Sequence, residues 1–69
     1  MRQKKLEDAV KIFEYNAKRF PNSANVFDSL AEGYYNSGDK VNALANYQKA
    51  LKLDPKLDSA LQMVKALSN

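Results

Sequence analysis

The sequence predicts an all-α fold of antiparallel helical hairpins stacked side by side, with about four helices in 69 residues. Three observations predict it. Pro21 and Pro55 lie 34 residues apart, and the residues ahead of each proline repeat at the same shift: Ala9 with Ala43, Val10 with Leu44, Phe13 with Tyr47 and Glu14 with Gln48. Beyond the prolines the same shift carries Phe27 to Leu61 and Leu30 to Val64, and a period of this length marks stacked helical hairpins. Second, apolar residues recur at helical spacing between the turn signals. Third, 45% hydrophobic and 28% charged residues are ordinary values for a folded chain and do not fit a disordered one.

In the first segment Leu6, Ala9, Val10, Phe13 and Ala17 form one apolar stripe. It ends at Phe20-Pro21, because proline disfavours helix in the residue before it, and the spacing predicts a first helix over about 4–19. Ser23 can cap the next helix by accepting from its exposed first-turn amides. Val26, Phe27, Leu30, Ala31 and Tyr34 then make the second stripe, over about 24–37. Gly38 supplies the left-handed residue that closes a helix without a side-chain clash, and Asp39 can cap the third helix. That helix, about 40–53, is expected to turn Val41, Leu44, Tyr47 and Leu51 inward, with Ala43 and Ala50 allowing close approach. The fourth, about 58–67, is expected to bury Ala60, Leu61, Val64 and Leu67. The whole of 1–69 reads as a single module: half a repeat, one full repeat and half a repeat. Each unit of such an array buries its apolar face only against neighbours, so residues missing upstream are expected to cover the first helix. A chain of this size buries only about 60% of the surface its unfolded form exposes, and modest stability follows.

Between the prolines the spacing Phe27-x-x-Leu30-Ala31-x-x-Tyr34, Gly38-Asp39, Ala43-x-x-x-Tyr47-x-x-Ala50 and Pro55 resembles the tetratricopeptide repeat. Phe27 replaces the family's usual tryptophan and Ala31 its usual glycine. The flanks depart further, with Asn16 where a small apolar residue is usual, and Lys65 and Ser68 where the last helix would carry its small residue and tyrosine. The resemblance implies a right-handed α-solenoid whose concave surface is lined by the first helix of each hairpin. A finer likeness lies in Phe13-Glu14-x-Asn16, Phe20-Pro21-x-Ser23, Asp28-Ser29-Leu30-Ala31-Glu32, Gly38-Asp39 and Asn46-Tyr47-x-Lys49-Ala50-Leu51. That string resembles the short C-terminal repeat tail of some bacterial serine hydrolases of the esterase and penicillin-recognising kind. It implies an alternative role, a structural or dimerising tail with no separate ligand, and a periplasmic location if the hydrolase is exported. Otherwise the location is cytoplasmic or open.

Composition narrows the chemistry. The net charge of +3 is uneven: residues 1–23 carry +3, residues 24–39 carry −3 and residues 40–69 carry +3, so the middle helix is the acidic one. With no histidine and no cysteine there is no imidazole base, no nucleophilic Cys-His or Ser-His-Asp centre, no disulfide and no thiolate zinc site. The chain is therefore expected not to be an enzyme and to need no cofactor or metal. Asp28 and Glu32 are four apart on one helical face, but a hard cation wants more oxygen ligands than two carboxylates. Two glycines make no phosphate-cradling loop. Lys4, Lys5, Lys11, Lys18 and Arg19 are interleaved with Glu7, Asp8 and Glu14, which argues for a solvated face and against nucleic acid. No apolar run is long enough for a membrane span.

The face of the middle helix opposite its apolar stripe carries Asn25, Asp28, Glu32, Tyr35 and Asn36. In proteins resembling this family it would line the groove, continued by Ser59, Gln62, Met63 and Ala66 of the last helix. An exposed tyrosine offers large contact area at low entropic cost. Some relatives grip a peptide's terminal carboxylate with basic residues at this surface; here Asp28 and Glu32 should repel an anion and favour a basic or neutral segment. The expected function is thus protein–protein interaction through Asn25, Asp28, Glu32, Tyr35, Asn36 and Gln62. Because Val10, Phe13, Ala17, Ile12 and Tyr15 lack a hairpin partner, a weak two-fold homodimer through helix one is also expected.

Overall fold

The computed structural model describes residues 4–68. Four helices follow one another: α1 (Lys4–Arg19), α2 (Ala24–Asn36), α3 (Lys40–Leu53) and α4 (Asp58–Ser68). Each packs mainly against its sequence neighbours, α2 on α3 most extensively, then α1 on α2 and α3 on α4. The result is a slab of 34 × 31 × 14 Å. Among the described residues no helix is long and apolar enough to cross a membrane.

The helix ends are set by local chemistry. α1 carries Glu7 in its first turn and Lys18 and Arg19 in its last, complementing the helix dipole. Ser23 caps α2, its Oγ accepting from the Val26 amide at 3.3 Å. At the other end the Ser37 amide donates to the Gly33 and Tyr34 carbonyls and the Asp39 amide returns to Tyr34 O at 2.9 Å. That closure needs a left-handed residue, and Gly38 supplies it with φ 89°. Asp39 caps α3: Oδ1 accepts from the Asn42 amide at 3.1 Å and Oδ2 from Asn42 Nδ2 at 2.6 Å. After α3, Asp54 Oδ1 accepts from the Lys56 amide, turning the chain at Pro55. The period is visible in the hydrogen bonds as well. The Ser23 carbonyl accepts from Phe27 and, one period on, the Leu57 carbonyl accepts from Leu61.

Packing rests on small residues. Ala31, Ala43, Ala50 and Ala60 are fully buried, and with Ala17, Phe27, Leu30 and Tyr47 they form the core. Alanine keeps helix backbones close, and the larger side chains fill the space between them. Val10, Phe13, Leu51, Val64 and Leu67 pack on this core from its edges. Gly33 adds a close approach that the sequence pattern did not single out. A Cβ there would lie 3.0 Å from Phe13 Cδ2 and 3.3 Å from Val10 Cγ2, so α1 rides directly over the α2 backbone. Tyr34 fastens the same pair by donating its hydroxyl to Glu14 Oε2 at 2.5 Å.

Three expectations about packing are corrected. Val41 is 81% exposed. The buried stripe of α3 is Ala43, Tyr47 and Ala50, and at about 100° per residue Val41 falls on the far side of it. Leu61 is 39% exposed, because α3 reaches one side of α4 and its outer side faces solvent. Met63, expected on the groove surface, packs against the core, as does Leu57 from the turn before α4. The side chain of Leu6, expected in the first stripe, lies outside the described residues.

Candidate functional site

The face of α2 away from Leu30 and Ala31 presents the five middle-helix residues singled out by the sequence. Asn25, Glu32, Tyr35 and Asn36 are exposed and Asp28 is half-buried. These positions fall in steps of three and four, which on a helix gives one continuous strip.

Asp28 is the centre of that strip. Its Oδ2 accepts from Ser59 Oγ of α4 at 3.1 Å. Its Oδ1 is buried with no hydrogen-bond partner among the described residues. A buried carboxylate oxygen without a donor costs free energy, about 1–3 kcal/mol or more. On α3, the buried Tyr47 feels the same charges. Burial, and then the negative charge of Asp28 and of Glu32 and the presence of Tyr35, push the Tyr47 hydroxyl up to about 12. Asp28, Glu32 and Tyr35 of α2 thus lie within electrostatic range of Tyr47 on α3, and Ser59 of α4 bonds Asp28. Beside them Lys49 Nζ stands 4.6 Å over the Phe27 ring, so this cation lies against an aromatic face.

The remaining site residues do not join this cluster. Asn25 borders a shallow depression between α1 and α2 together with Phe13, Asn16, Val26 and Ser29. Gln62 donates through Nε2 to Asp58 Oδ2 at 3.3 Å, one turn back on its own helix. Asn36 lies exposed at the C-terminal end of α2. Tyr47 was missed as a site residue because its spacing assigns it to the core, where it is indeed 4% exposed. The available signal was its identity: a tyrosine at a core position needs a polar outlet for its hydroxyl, where phenylalanine would not.

Chemically, the arrangement can hold a cation or an amide donor against carboxylates and lay an apolar side chain on Tyr35. Among the described residues no group of three or more metal-ligating side chains is assembled.

Residues 24–57 match the family model of the tetratricopeptide repeat. Searches of curated proteins and of solved structures found no significant match. The matched segment is the hairpin of α2 and α3 with its closing turn, which carries the Ala43, Tyr47 and Ala50 packing and most of the acidic strip. Residues 24–57 are thus a tetratricopeptide repeat, of a family whose members generally mediate protein–protein interaction and are generally non-enzymatic.

Proposed function

We propose that the chain is a protein-interaction module that takes a basic or neutral segment of another protein on the α2 face, with Asp28 as its anchor. The observation that carries this reading is the half-satisfied Asp28 carboxylate, one oxygen bonded to Ser59 and the other buried without a donor. A lysine ammonium or arginine guanidinium brings charge-assisted hydrogen bonds suited to a carboxylate left short of donors. Glu32 adds a second negative charge one turn along, and Tyr35 offers a flat surface for the aliphatic stem of the same side chain. Asn25, Asn36 and Gln62 lie towards the margins of the strip and are suited to bonding a backbone.

Affinity through one repeat is expected to be weak, in keeping with a small interface. Nuclear magnetic resonance titration with a lysine- and arginine-containing peptide tests it. Shift changes should concentrate on the amides around Asp28, Glu32, Tyr35 and Ser59. Changes centred on the lysines of α1, or none at peptide concentrations far above the protein, would overturn the assignment. The second outcome would favour a packing element with no separate ligand.

A further inference from the structure

The outer helices expose the two halves of a contact that the chain already makes within itself. In the central hairpin Phe27 of α2 is covered from α3, with Lys49 over its ring, and is 5% exposed. Moving each partner by one period of 34 residues, forwards from Phe27 and backwards from Lys49, gives Leu61 on α4 and Tyr15 on α1. Both are exposed, Leu61 at 39% and Tyr15 at 59% with the Arg19 guanidinium 5.7 Å over its ring, and Ile12 beside Tyr15 is exposed too. In the phase of the repeat, α4 corresponds to α2, the first helix of a hairpin, and α1 to α3, the second.

We infer that a second copy of this chain seats its α1 on α4 of the first, head to tail, so that the junction repeats the α2–α3 interface. A second copy fits because it brings the complementary half in the correct register. Phe13 arrives as the equivalent of Tyr47 and Ala9 as that of Ala43, opposite Leu61 and Val64, which stand for Phe27 and Leu30. The interface being copied is the most extensive helix pair in the chain. One mismatch limits its strength: Lys65 occupies the position of Ala31, which is fully buried. Its stem can lie along the junction with the ammonium in water, but closer packing is lost. Association is therefore weak, and each added copy leaves the same two faces open at the ends, so it continues beyond a dimer. A two-fold pair through α1 alone would engage Tyr15 and not Leu61.

Sedimentation of the 69-residue chain over a wide concentration range tests this, with Tyr15→Glu, Leu61→Glu, their equimolar mixture and Lys65→Ala. Both glutamate changes fall on exposed helix positions and suit a helix. The parent's average mass should rise past that of a dimer. Each glutamate variant alone should remain monomeric, while the mixture should form a dimer that grows no further, one partner lending an intact α1 and the other an intact α4. Lys65→Ala should strengthen association several-fold. The proposal is overturned if the parent stays monomeric at millimolar concentration or Leu61→Glu associates like the parent. It is equally overturned if the mixture stays monomeric. Should either glutamate variant lose helicity, Lys65→Ala still decides: unchanged or weaker association contradicts the shared register.

Discussion

Ser59 Oγ on α4 donates to Asp28 Oδ2 on α2 at 3.1 Å, joining residues 31 apart in sequence on helices that are not a principal packed pair. Tyr47 reaches the same carboxylate's surroundings from α3. The acidic strip is therefore assembled by the stacking of three helices, although most of its residues come from one.

Replacing Ser59 by alanine should loosen α4 locally and leave the rest of the slab in place. A single exposed hydrogen bond to a carboxylate contributes about 1 kcal/mol, roughly a fivefold change in an opening equilibrium. Amide hydrogen exchange should accelerate in α4 and stay nearly constant in α1. Exchange that is unchanged in α4 would mean that the contact contributes nothing to its docking.

Ala43 is fully buried where α3 meets α2. Ala43→Leu adds three carbons where there is no space and should cost about 1–3 kcal/mol, a large fraction of the stability of so small a chain. A clearly lowered thermal midpoint is expected. An unchanged midpoint would show that small residues are not what sets the helix spacing.

Two tyrosines should titrate late. The Tyr34 hydroxyl is pushed up to about 12, first by its hydrogen bond to Glu14, then by burial and by the charges of Glu14 and Asp39. Tyr47 is pushed up to about 12, first by burial. An unfolded tyrosine ionises near pH 10. Below that both states hold the proton and stability is unaffected. Above it the unfolded chain releases protons that the folded chain retains, so stability should fall as pH rises from about 10 to about 12. Absorbance titration of the phenolates, with denaturant melts across the same window, checks this. Glu14→Gln should bring the Tyr34 titration down towards its ordinary value and leave Tyr47 where it is.

Much of the fold was legible because it is written in local signals. Ser23, Gly38 and Asp39 act through their own neighbours in sequence, and each caps or closes a helix where spacing placed it. The 34-residue shift carried the pairing of Phe13 with Tyr47 and of Phe27 with Leu61 as positions. Burial was less legible, since equivalent positions need not have equivalent neighbours. Leu61 repeats Phe27 yet lies partly open because its outer side has no helix on it. Val41 is apolar but sits off the stripe that faces α2, and nothing in its identity reveals that. Within the strip, Asp28 and Glu32 could be read from their spacing on a helix. The convergence of Tyr47 and the bond from Ser59 depend on how α3 and α4 pack on α2, which periodicity alone does not supply.

If the α2 face prefers a cation, its affinity for a peptide must follow the peptide's charge. Fluorescence anisotropy should compare a basic peptide with an acidic peptide of the same length, on the parent and on the double variant Asp28→Lys, Glu32→Lys, with circular dichroism confirming equal helicity. The parent should bind the basic peptide in preference and lose it as salt screens the carboxylates. The double variant should bind that peptide roughly tenfold more weakly or worse, a loss of about 1.4 kcal/mol or more. Tighter binding of the acidic peptide by the parent, or equal affinity of parent and double variant for the basic one, would contradict it.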